Sequence, residues 1–209
     1  MLACTGADAA ILVFARAPVP GAAKTRLIPR LGAWRAARLQ ARLTARALKT
    51  ALAARCGRVE LHVSPRTTHD FFVYCGKRFK VNLKAQAGKD LGERMHHSVA
   101  RALRRHQAVI VIGTDCPALM PRDLRRAMRL LRGGCEAVLA PAEDGGYALI
   151  GLTKVSPRLF SGIAWGTSAV YEETAGRLAA AGYRWRALRT LWDVDRPEDL
   201  ERLRSLRFS

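Results

Sequence analysis

The sequence lacks the features that mark secreted, zinc-binding and membrane-spanning proteins. Its five cysteines are odd in number and widely scattered, with no C-x-x-C spacing, so neither a disulfide framework nor a zinc site is indicated. The longest uncharged apolar run, around residues 9–15, is far shorter than the roughly 20 residues of a membrane-spanning helix. No basic segment precedes this run, as one would in a secretory signal. We therefore expect a cytoplasmic protein with reduced thiols and no membrane span.

No Pro/Gly/Ser-rich linker and no internal repeat divides the chain. With 209 residues, of which 49% are hydrophobic, the chain can bury one full core. We expect a single domain that spans residues 1–209.

Acidic and aromatic residues are scarce. The chain has 17 Asp and Glu residues against 36 Lys and Arg residues, a net charge of +19, and only 7% of its residues are aromatic. Many basic residues recur at helical spacing, which is typical of solvated helix faces. A nucleic-acid surface would interleave cations with stacking aromatics in a recognised module, and none is evident. We expect no specific nucleic-acid partner, although the positive field should attract phosphorylated small molecules.

Apolar runs alternate with amphipathic segments along the chain. Strands are predicted at residues 9–14, 59–63, 79–85, 109–113, 136–140, 147–152 and 183–188. Helices are predicted at residues 32–54, 65–74, 91–105, 121–131, 165–180 and 197–206. This alternation is typical of an α/β fold in which helices cover both faces of a mainly parallel sheet.

The first candidate site residue is Asp115, in the segment Gly-Thr-Asp-Cys-Pro at residues 113–117. It follows the apolar run 109–112, which is typical of a buried parallel strand, so Asp115 should lie at the carboxyl end of that strand. Ligands bind at this edge of open α/β sheets. A carboxylate there suits a hard divalent cation that carries substrate phosphates. Asp115 is therefore a candidate metal ligand and catalytic residue.

The loop after the first predicted strand, residues 15–27, contains a second group of candidates. Pro18 and Pro20 restrict its backbone, whereas Gly21 permits positive φ or the close approach of a ligand. Lys24 and Arg26 would extend from this loop at the carboxyl edge of the sheet, where they can hold phosphate oxygens. Neither a P-loop nor a G-x-G-x-x-G motif is present. A merely solvated basic loop is the structural alternative.

Two further features have both a functional and a structural interpretation. Asp144 precedes Gly145 and Gly146, so it can orient an acceptor hydroxyl or act as a base, or the segment can be an ordinary tight turn. Trp165 can stack on a sugar or a base, or it can belong to the core or a lid. The sequence leaves these alternatives open.

Five segments, in order along nearly the whole chain, resemble one family. They are residues 14–27 (FARAPVPGAAKTRL), 88–95 (GKDLGERM), 113–117 (GTDCP), 144–147 (DGGY) and 193–200 (DVDRPEDL). Together they resemble a bacterial family of GT-A-type glycosyltransferases, once known only as a domain of unknown function. Its members are described as candidate nucleotide-diphospho-sugar transferases. More distantly, the segments resemble the phospholactate and molybdenum cofactor guanylyltransferases.

The resemblance implies a single-domain GT-A (nucleotide-diphospho-sugar transferase) fold. Asp115 and Asp195 would bind Mg²⁺ or Mn²⁺, and the loop after the first strand would hold the nucleotide and its phosphates. Asp115 and Asp144 are the predicted catalytic residues. The predicted substrate-binding residues are Ala15, Arg16, Pro18, Gly21, Lys24, Arg26, Gly145, Gly146, Tyr147 and Trp165.

Asp193 and Asp195 lie two residues apart in a segment that is predicted to be extended, so their side chains should point to opposite sides. Only one of them should then face the metal, and the resemblance selects Asp195. Alternatively, Asp195 caps the helix that is predicted to begin near Pro197.

The predicted function is that of a metal-dependent transferase that uses a nucleotide-activated donor. By the resemblance, a glycosyltransferase that acts from a nucleotide-diphospho-sugar is the first choice. The alternatives are a nucleotidyltransferase of the guanylyltransferase type, a noncatalytic nucleotide-binding module and a basic protein associated with nucleic acid. The expected partners are a nucleotide or nucleotide-sugar donor and a small-molecule acceptor that the sequence does not identify.

Overall fold

A seven-stranded mixed sheet forms the centre of the protein in a computed structural model that describes residues 8–205. Its strands are β1 (Ala9–Arg16), β2 (Arg58–Ser64), β3 (Asn82–Ala85), β4 (Ala108–Ile112), β5 (Ala137–Pro141), β6 (Tyr147–Leu152) and β7 (Trp185–Ala187). Their spatial order is β3-β2-β1-β4-β6-β5-β7. Only β6 is antiparallel to its neighbours, β4 and β5, while the other pairs are parallel. The prediction of a mainly parallel α/β sheet is confirmed.

Helices cover both faces of this sheet. They are α1 (Ile28–Leu31), α2 (Ala33–Ala54), α3 (Asp70–Phe79), α4 (Leu91–Leu103), α5 (Pro121–Arg132), α6 (Val170–Ala180) and α7 (Asp199–Ser205). Short 3-10 helices lie at Thr25–Leu27 and Pro157–Leu159. No helix within residues 8–205 is long and apolar enough to cross a membrane.

The alternation of side chains along β1 divides the core in two. Ile11 and Val13 are fully buried in a cluster with residues of α2, α3 and α5. Leu12 and Phe14 belong to a second cluster, with residues of α4 and α6. Because successive strand residues face opposite sides of a sheet, a run that is apolar at every position produces a strand covered on both faces.

The helix predicted at residues 65–74 lies further along the chain, as α3. Residues 65–69 instead form a bend and a turn, and the ring of His69 accepts a hydrogen bond from the Phe71 backbone N–H at 3.2 Å. This bond satisfies a donor at the start of the helix, so α3 begins after His69. The helix then continues to Phe79, the residue at which a strand was predicted to begin, and β3 begins only at Asn82.

The last two predicted helices are also shorter than expected. Gly166 adopts a positive φ of 85° in the turn before α6, so the helix predicted at residues 165–180 begins only at Val170. The helix predicted at residues 197–206 begins at Asp199, and its last predicted residue lies outside the described part of the chain.

The loops that follow β1 and β4 leave the same edge of the sheet. The two strands are parallel neighbours, but the chain continues from β1 to β2 on one side and from β4 to β5 on the other. Such a reversal opens a crevice beyond the carboxyl ends of the strands. The antiparallel β6 begins at this edge, so the turn between β5 and β6 joins the same crevice.

Gly92 lies where α4 packs against residues 160–165. A Cβ atom at this position would be 2.5 Å from the Phe160 carbonyl oxygen and 2.9 Å from Trp165 Nε1. Contacts this short force a shift of the backbone, so we expect Gly92→Ala to lower the free energy of unfolding by about 1–3 kcal/mol. Urea denaturation followed by circular dichroism measures the change.

Gly176 in α6 is the matched control, because no atom other than its chain neighbours and the backbone of its own helix lies within 4 Å of its corresponding Cβ position. Alanine at this helical site should stabilise the protein by about 0.5–1 kcal/mol. Stabilisation of similar size by both substitutions would contradict the close packing at Gly92.

Candidate functional site

Two clefts meet at the carboxyl edge of the sheet. The first, which we call the basic cleft, has a volume of about 690 Å³ and lies between the end of β1, its loop and the start of α4. The second, the acidic cleft, has a volume of about 350 Å³ and lies between the β5–β6 turn, the segment before α6 and residues 193–195. The charged residues that line the basic cleft are Arg16, Lys24, Arg26, Lys89, Asp90, Arg94, Asp115 and Asp195. Those that line the acidic cleft are Arg26, Asp115, Asp144, Asp193 and Asp195.

Lys24 connects three parts of the site. Its backbone adopts the left-handed conformation (φ 50°, ψ 46°), and its side chain is only 3% exposed. The ammonium lies 2.9 Å from Asp115 Oδ1 and donates a hydrogen bond to the Val194 carbonyl oxygen at 2.5 Å. The Val194 N–H in turn donates to the Asp115 carbonyl oxygen at 2.8 Å. The loop after β1, the end of β4 and residues 193–195 are therefore held together at this point.

The second cation of the loop, Arg26, forms an ion pair with Asp195. The Arg26 side chain is 62% exposed, so this pair is far more open to water than the one made by Lys24. The Asp195 carboxylate pairs with Arg26, whereas the Asp199 carboxylate accepts hydrogen bonds from the backbone N–H groups of Asp195 (2.9 Å) and Arg196 (2.7 Å) at the start of α7. No hydrogen bond found within residues 8–205 supports the capping alternative for Asp195, and Asp195 lines both clefts.

Buried hydrogen bonds from Gln40 through Thr114 orient the Asp115 carboxylate. Gln40 Nε2 donates to Thr114 Oγ1 at 3.0 Å, and the Thr114 hydroxyl donates to Asp115 Oδ1 at 3.3 Å. Sequence reasoning missed Gln40, which is 5% exposed on the core-facing side of α2. The signal for it was a polar residue at an apolar position of the helical repeat, beside Leu39 and Leu43.

Asp144 belongs both to a tight turn and to the acidic cleft. Its Oδ1 accepts a hydrogen bond from the Gly146 N–H at 2.9 Å, and Gly145 has a positive φ of 86°. A Cβ atom on Gly145 would lie 2.1 Å from the Ser168 carbonyl oxygen, so only glycine allows the turn to approach this segment. The turn is therefore packed against the entry to α6, and the exposed Asp144 lies at the mouth of the acidic cleft.

Asp193 is a site residue that was expected to point away from the site, on the side opposite to Asp195. It lines the acidic cleft together with Asp195, although the two were expected to point apart. Burial, and then the nearby carboxylates of Asp144 and Asp115, raise the pKa of Asp193 to about 6. Asp193 thus belongs to a group of mutually repelling carboxylates, and its spacing from Asp195 was the only signal in the sequence.

Apolar and aromatic side chains form the floor of the acidic cleft. They come from β1, β4, β6 and α4, with Trp165 at one side, and its ring centroid lies 6.5 Å from that of Phe160. Burial raises the pKa of the Tyr147 phenol above its usual value. The floor-forming residues are Phe14, Leu91, Met95, Val111, Tyr147, Ala148, Ile150 and Trp165.

The predicted substrate-binding residues fall into three groups. Ala15, Arg16, Lys24 and Arg26 line the basic cleft. Arg26, Gly146, Tyr147 and Trp165 line the acidic cleft. The remaining residues, Pro18, Gly21 and Gly145, shape the loop and the turn but do not line either cleft.

The far end of the basic cleft contains two further polar residues, Gln86 and Arg94. Gln86 Nε2 donates to the His62 carbonyl oxygen at 2.9 Å, and Arg94 Nε donates to the Gly88 carbonyl oxygen at 3.0 Å. Asp90 caps α4, because its Oδ1 accepts a hydrogen bond from the Glu93 N–H at 2.8 Å. Gln86 and Arg94 therefore have positions fixed by the backbone around them.

The cysteines do not provide a nucleophile for this site. Cys56, Cys75, Cys116 and Cys135 are free, and Cys4 lies outside the described residues. Cys116 lines the acidic cleft, but burial raises the pKa of its thiol to about 12. The thiolate that nucleophilic attack requires is therefore disfavoured.

No group of three or more His, Cys, Asp and Glu residues between residues 8 and 205 is arranged to hold a metal ion. A cation bound by Asp115 and Asp195 would therefore take its remaining ligands from substrate and water. The metal-binding roles of these two residues stay predictions.

The comparison with known proteins bears on both fold and family. Among solved structures, a candidate nucleotide-diphospho-sugar transferase from Desulfovibrio desulfuricans G20 is 30% identical, with 96% of this chain and 89% of that chain covered and a TM-score of 0.86. CMP:2-keto-3-deoxy-manno-octonic acid synthetase in complex with CTP is 14% identical, with 95% and 98% covered and a TM-score of 0.59. Rv0371C from Mycobacterium tuberculosis H37Rv in complex with manganese is 15% identical, with 95% and 98% covered and a TM-score of 0.54. These similarities confirm the predicted nucleotide-diphospho-sugar transferase (GT-A) fold.

No curated protein matches the sequence significantly. The model of a family described as an uncharacterized protein conserved in bacteria (DUF2064) matches residues 47–167, which is more than half of the chain. On the strength of this match and of the Desulfovibrio relative, the chain belongs to the DUF2064 family.

Proposed function

We propose that the protein is a metal-dependent transferase that uses a nucleotide-activated donor. One observation carries the proposal: Arg26, Asp115 and Asp195 line both clefts, so a basic and an acidic cleft share one charged boundary. A transferase needs this arrangement, because the donor and the acceptor must meet at the atom that is transferred.

The basic cleft suits the nucleotide and its phosphates. Arg16, Lys89 and Arg94 line it in addition to the two cations of the loop, and guanidinium and ammonium groups bind phosphate oxygens through charge-assisted hydrogen bonds. The Desulfovibrio relative is described as a candidate nucleotide-diphospho-sugar transferase, and a more distant protein of the same fold was solved with CTP. Both descriptions support a nucleotide-bearing donor.

The boundary between the clefts suits Mg²⁺ or Mn²⁺. The Asp115 side chain is 50% exposed, and hydrogen-bonding and ion-pair partners within residues 8–205 reach its Oδ1 but not its Oδ2. One oxygen is thus free to bind a cation, and Asp195 would supply a second carboxylate. Two carboxylates suit a hard cation that keeps several waters and takes phosphate oxygens as ligands. A distant structural neighbour was solved with manganese, which agrees with this choice.

Each charged residue would then have a defined role in transfer. The bound cation would offset the negative charge that develops on the leaving diphosphate. Arg26, whose ion pair with Asp195 is exposed, would exchange that partner for a donor phosphate. Lys24 would stay buried and keep Asp115 in place. Asp144, exposed in the acidic cleft, would accept the proton of the acceptor.

Glycosyl transfer from a nucleotide-diphospho-sugar is the reaction that we favour. It accords with the Desulfovibrio relative, whose TM-score of 0.86 exceeds the 0.59 of the CTP-bound synthetase. Nucleotidyl transfer is the second candidate, because that synthetase aligns over 95% of this chain in the same fold.

A panel of nucleoside di- and triphosphates and nucleotide sugars, with and without Mg²⁺ or Mn²⁺, tests this proposal by thermal shift. We expect at least one compound to raise the melting temperature in a divalent-dependent manner, since a ligand at a hundred times its Kd stabilises by about 2.7 kcal/mol. Asp115→Asn should abolish the divalent-dependent part, and Asp195→Asn should raise the divalent concentration needed for half of the effect.

Asp70→Asn, an exposed change at the start of α3, is the control and should behave as the wild type. A divalent-dependent shift that survives unchanged in Asp115→Asn would rule out Asp115 as a metal ligand. Nucleotide binding that is tight but indifferent to divalent ions would favour a noncatalytic binding module.

Lys24 should contribute more to the stability of the free protein than Arg26 does, although both should contribute to nucleotide binding. Lys24→Met removes a buried cation that joins three segments, so we expect the free energy of unfolding without ligand to fall by about 1–3 kcal/mol. Arg26→Met removes an exposed ion pair, so unfolding should change by less than about 1 kcal/mol. Calorimetric titration with the best nucleotide should nevertheless show a loss of affinity for both variants.

Arg129→Met, on an exposed position of α5, is the matched control for charge. If diffuse electrostatic attraction held the nucleotide, all three variants would lose affinity for it equally, and a modest salt concentration would abolish the binding. That outcome would contradict specific phosphate binding by the loop.

A further inference from the structure

The sign of the charge in the acidic cleft restricts the acceptor. We propose that the acceptor is a neutral or cationic molecule that carries a hydroxyl or amino group next to a ring or hydrocarbon portion, and that it has no phosphate or carboxylate group. This inference rests on the proposed function, because it assumes that the donor occupies the basic cleft.

Two of the four carboxylates in the acidic cleft form no ion pair within residues 8–205, although Lys24 acts on Asp193 from a greater distance. Lys24 and Arg26 form ion pairs with Asp115 and Asp195, respectively. No Lys, Arg or His in the described part of the chain forms an ion pair with Asp144 or Asp193. A metal ion at Asp115 and Asp195 would leave these two unchanged, and the donor diphosphate would offset the charge of the metal. The cleft therefore stays negative in the state that binds the acceptor.

The acidic cleft is also poor in hydrogen-bond donors for an anion. An ionised carboxylate only accepts hydrogen bonds. The Gly146 N–H is already used by Asp144, and the Thr167 hydroxyl donates to the Ala164 carbonyl oxygen at 2.8 Å. Arg26 is engaged by Asp195 in the free protein and would be engaged by a donor phosphate in the proposed complex. The Tyr147 hydroxyl and the Trp165 indole N–H have no hydrogen-bond partner within residues 8–205, but both atoms are buried and not exposed in the cleft. A phosphate or carboxylate would lose its hydration here without replacement, whereas a hydroxyl or ammonium could donate to Asp144 or Asp193.

The apolar floor of the acidic cleft is the reason why we expect a ring or hydrocarbon portion in the acceptor. Met95, Val111 and Ile150 are each at most 4% exposed, and Trp165 and Tyr147 add aromatic surface beside them. A ligand that fills this cleft must bury carbon against these side chains. A sugar ring or an aromatic ring with hydroxyl groups on one side has both kinds of surface.

These properties favour attack by a neutral nucleophile. The acceptor oxygen or nitrogen would form a bond to the anomeric carbon of the donor, and the bond from that carbon to the diphosphate oxygen would break with its electron pair. The proton of the acceptor would pass to the Asp144 carboxylate. Nucleotidyl transfer to an acceptor phosphate, in contrast, would need a cation on the acceptor side.

Met95 offers a local probe of this cleft. The chain has four methionines, and Met95 lines the acidic cleft, whereas Met120 and Met128 lie among arginines beside α2 and α5. With ¹³C-methyl-labelled methionine, the Met95 signal reports the acidic cleft, and the signals of Met120 and Met128 report nonspecific binding to basic helix faces. Met95→Leu assigns the signal.

Three matched ligands separate the effect of charge from that of shape: benzyl alcohol, benzylamine and benzyl phosphate. Each is titrated with Mg²⁺ and pyrophosphate present, so that phosphate groups already occupy the basic cleft. We expect benzyl alcohol and benzylamine to shift Met95 at concentrations at least tenfold lower than benzyl phosphate does. In Asp144→Asn the amide oxygen can still accept the hydrogen bond from the Gly146 N–H, so the turn should be kept. The substitution should weaken the binding of benzylamine and strengthen the binding of benzyl phosphate, each by severalfold. Glu143→Gln, which lies outside the cleft and pairs with Arg202, should leave the order and the ratios unchanged.

Two outcomes would overturn the inference. In the first, benzyl phosphate shifts the Met95 signal at a concentration equal to or lower than that needed with benzyl alcohol. In the second, neither benzyl alcohol nor benzylamine shifts the Met95 signal. Failure of the proposed function has a different signature. In that case calorimetry would detect no binding of nucleotide or pyrophosphate, whatever the order of the three ligands at Met95.

Discussion

The ion pair between Lys24 and Asp115 is the interaction on which the geometry of the site depends. A single buried ammonium contacts Asp115 Oδ1 and the Val194 carbonyl oxygen, and the Val194 N–H returns a hydrogen bond to Asp115. Three segments that are distant in sequence thereby share one polar centre. Removing Lys24 would leave the Val194 carbonyl oxygen and Asp115 Oδ1 without their shared cation, so the arrangement is fixed more firmly than a fully exposed pair would fix it.

The same centre separates two regions of opposite charge. The chain as a whole carries a net charge of +19, yet the acidic cleft is lined by four carboxylates and one arginine. At physiological salt, charges are screened over about 8 Å, so the overall field attracts anions to the surface while the nearest side chains decide where they bind. A nucleotide and its acceptor can therefore bind to different clefts according to their charge, in a protein whose net charge is strongly positive.

The sequence predicted the sheet and the position of Asp115 because both depend on local patterns. A short run that is apolar at every residue and rich in β-branched side chains, such as the one in β4, is typical of a strand covered on both sides, and a polar residue directly after such a strand lies at the sheet edge. The antiparallel direction of β6 was not predicted, since strand direction depends on pairing with distant residues rather than on periodicity. The roles of Lys24 and Gln40 were hidden for a similar reason: their partners lie 170 and 74 residues away along the chain. Asp193 was misplaced because an alternating pattern presumes a regular strand, whereas residues 193–195 follow the contacts of the buried Val194.

The antiparallel insertion of β6 has a consequence for how members of this fold can diversify. Since β5 and β6 form a hairpin, the turn with Asp144 joins neighbouring strands without a crossover connection. This turn is nevertheless bonded to two other segments, because the Tyr171 N–H donates to the Gly145 carbonyl oxygen at 2.8 Å and the Glu143 N–H donates to the Leu191 carbonyl oxygen at 2.9 Å. The loop after β1 is likewise tied by Lys24 to two other segments. Evolutionary variation in length is thus restricted in both halves of the site, and changes of side chain are the easier route to a new specificity.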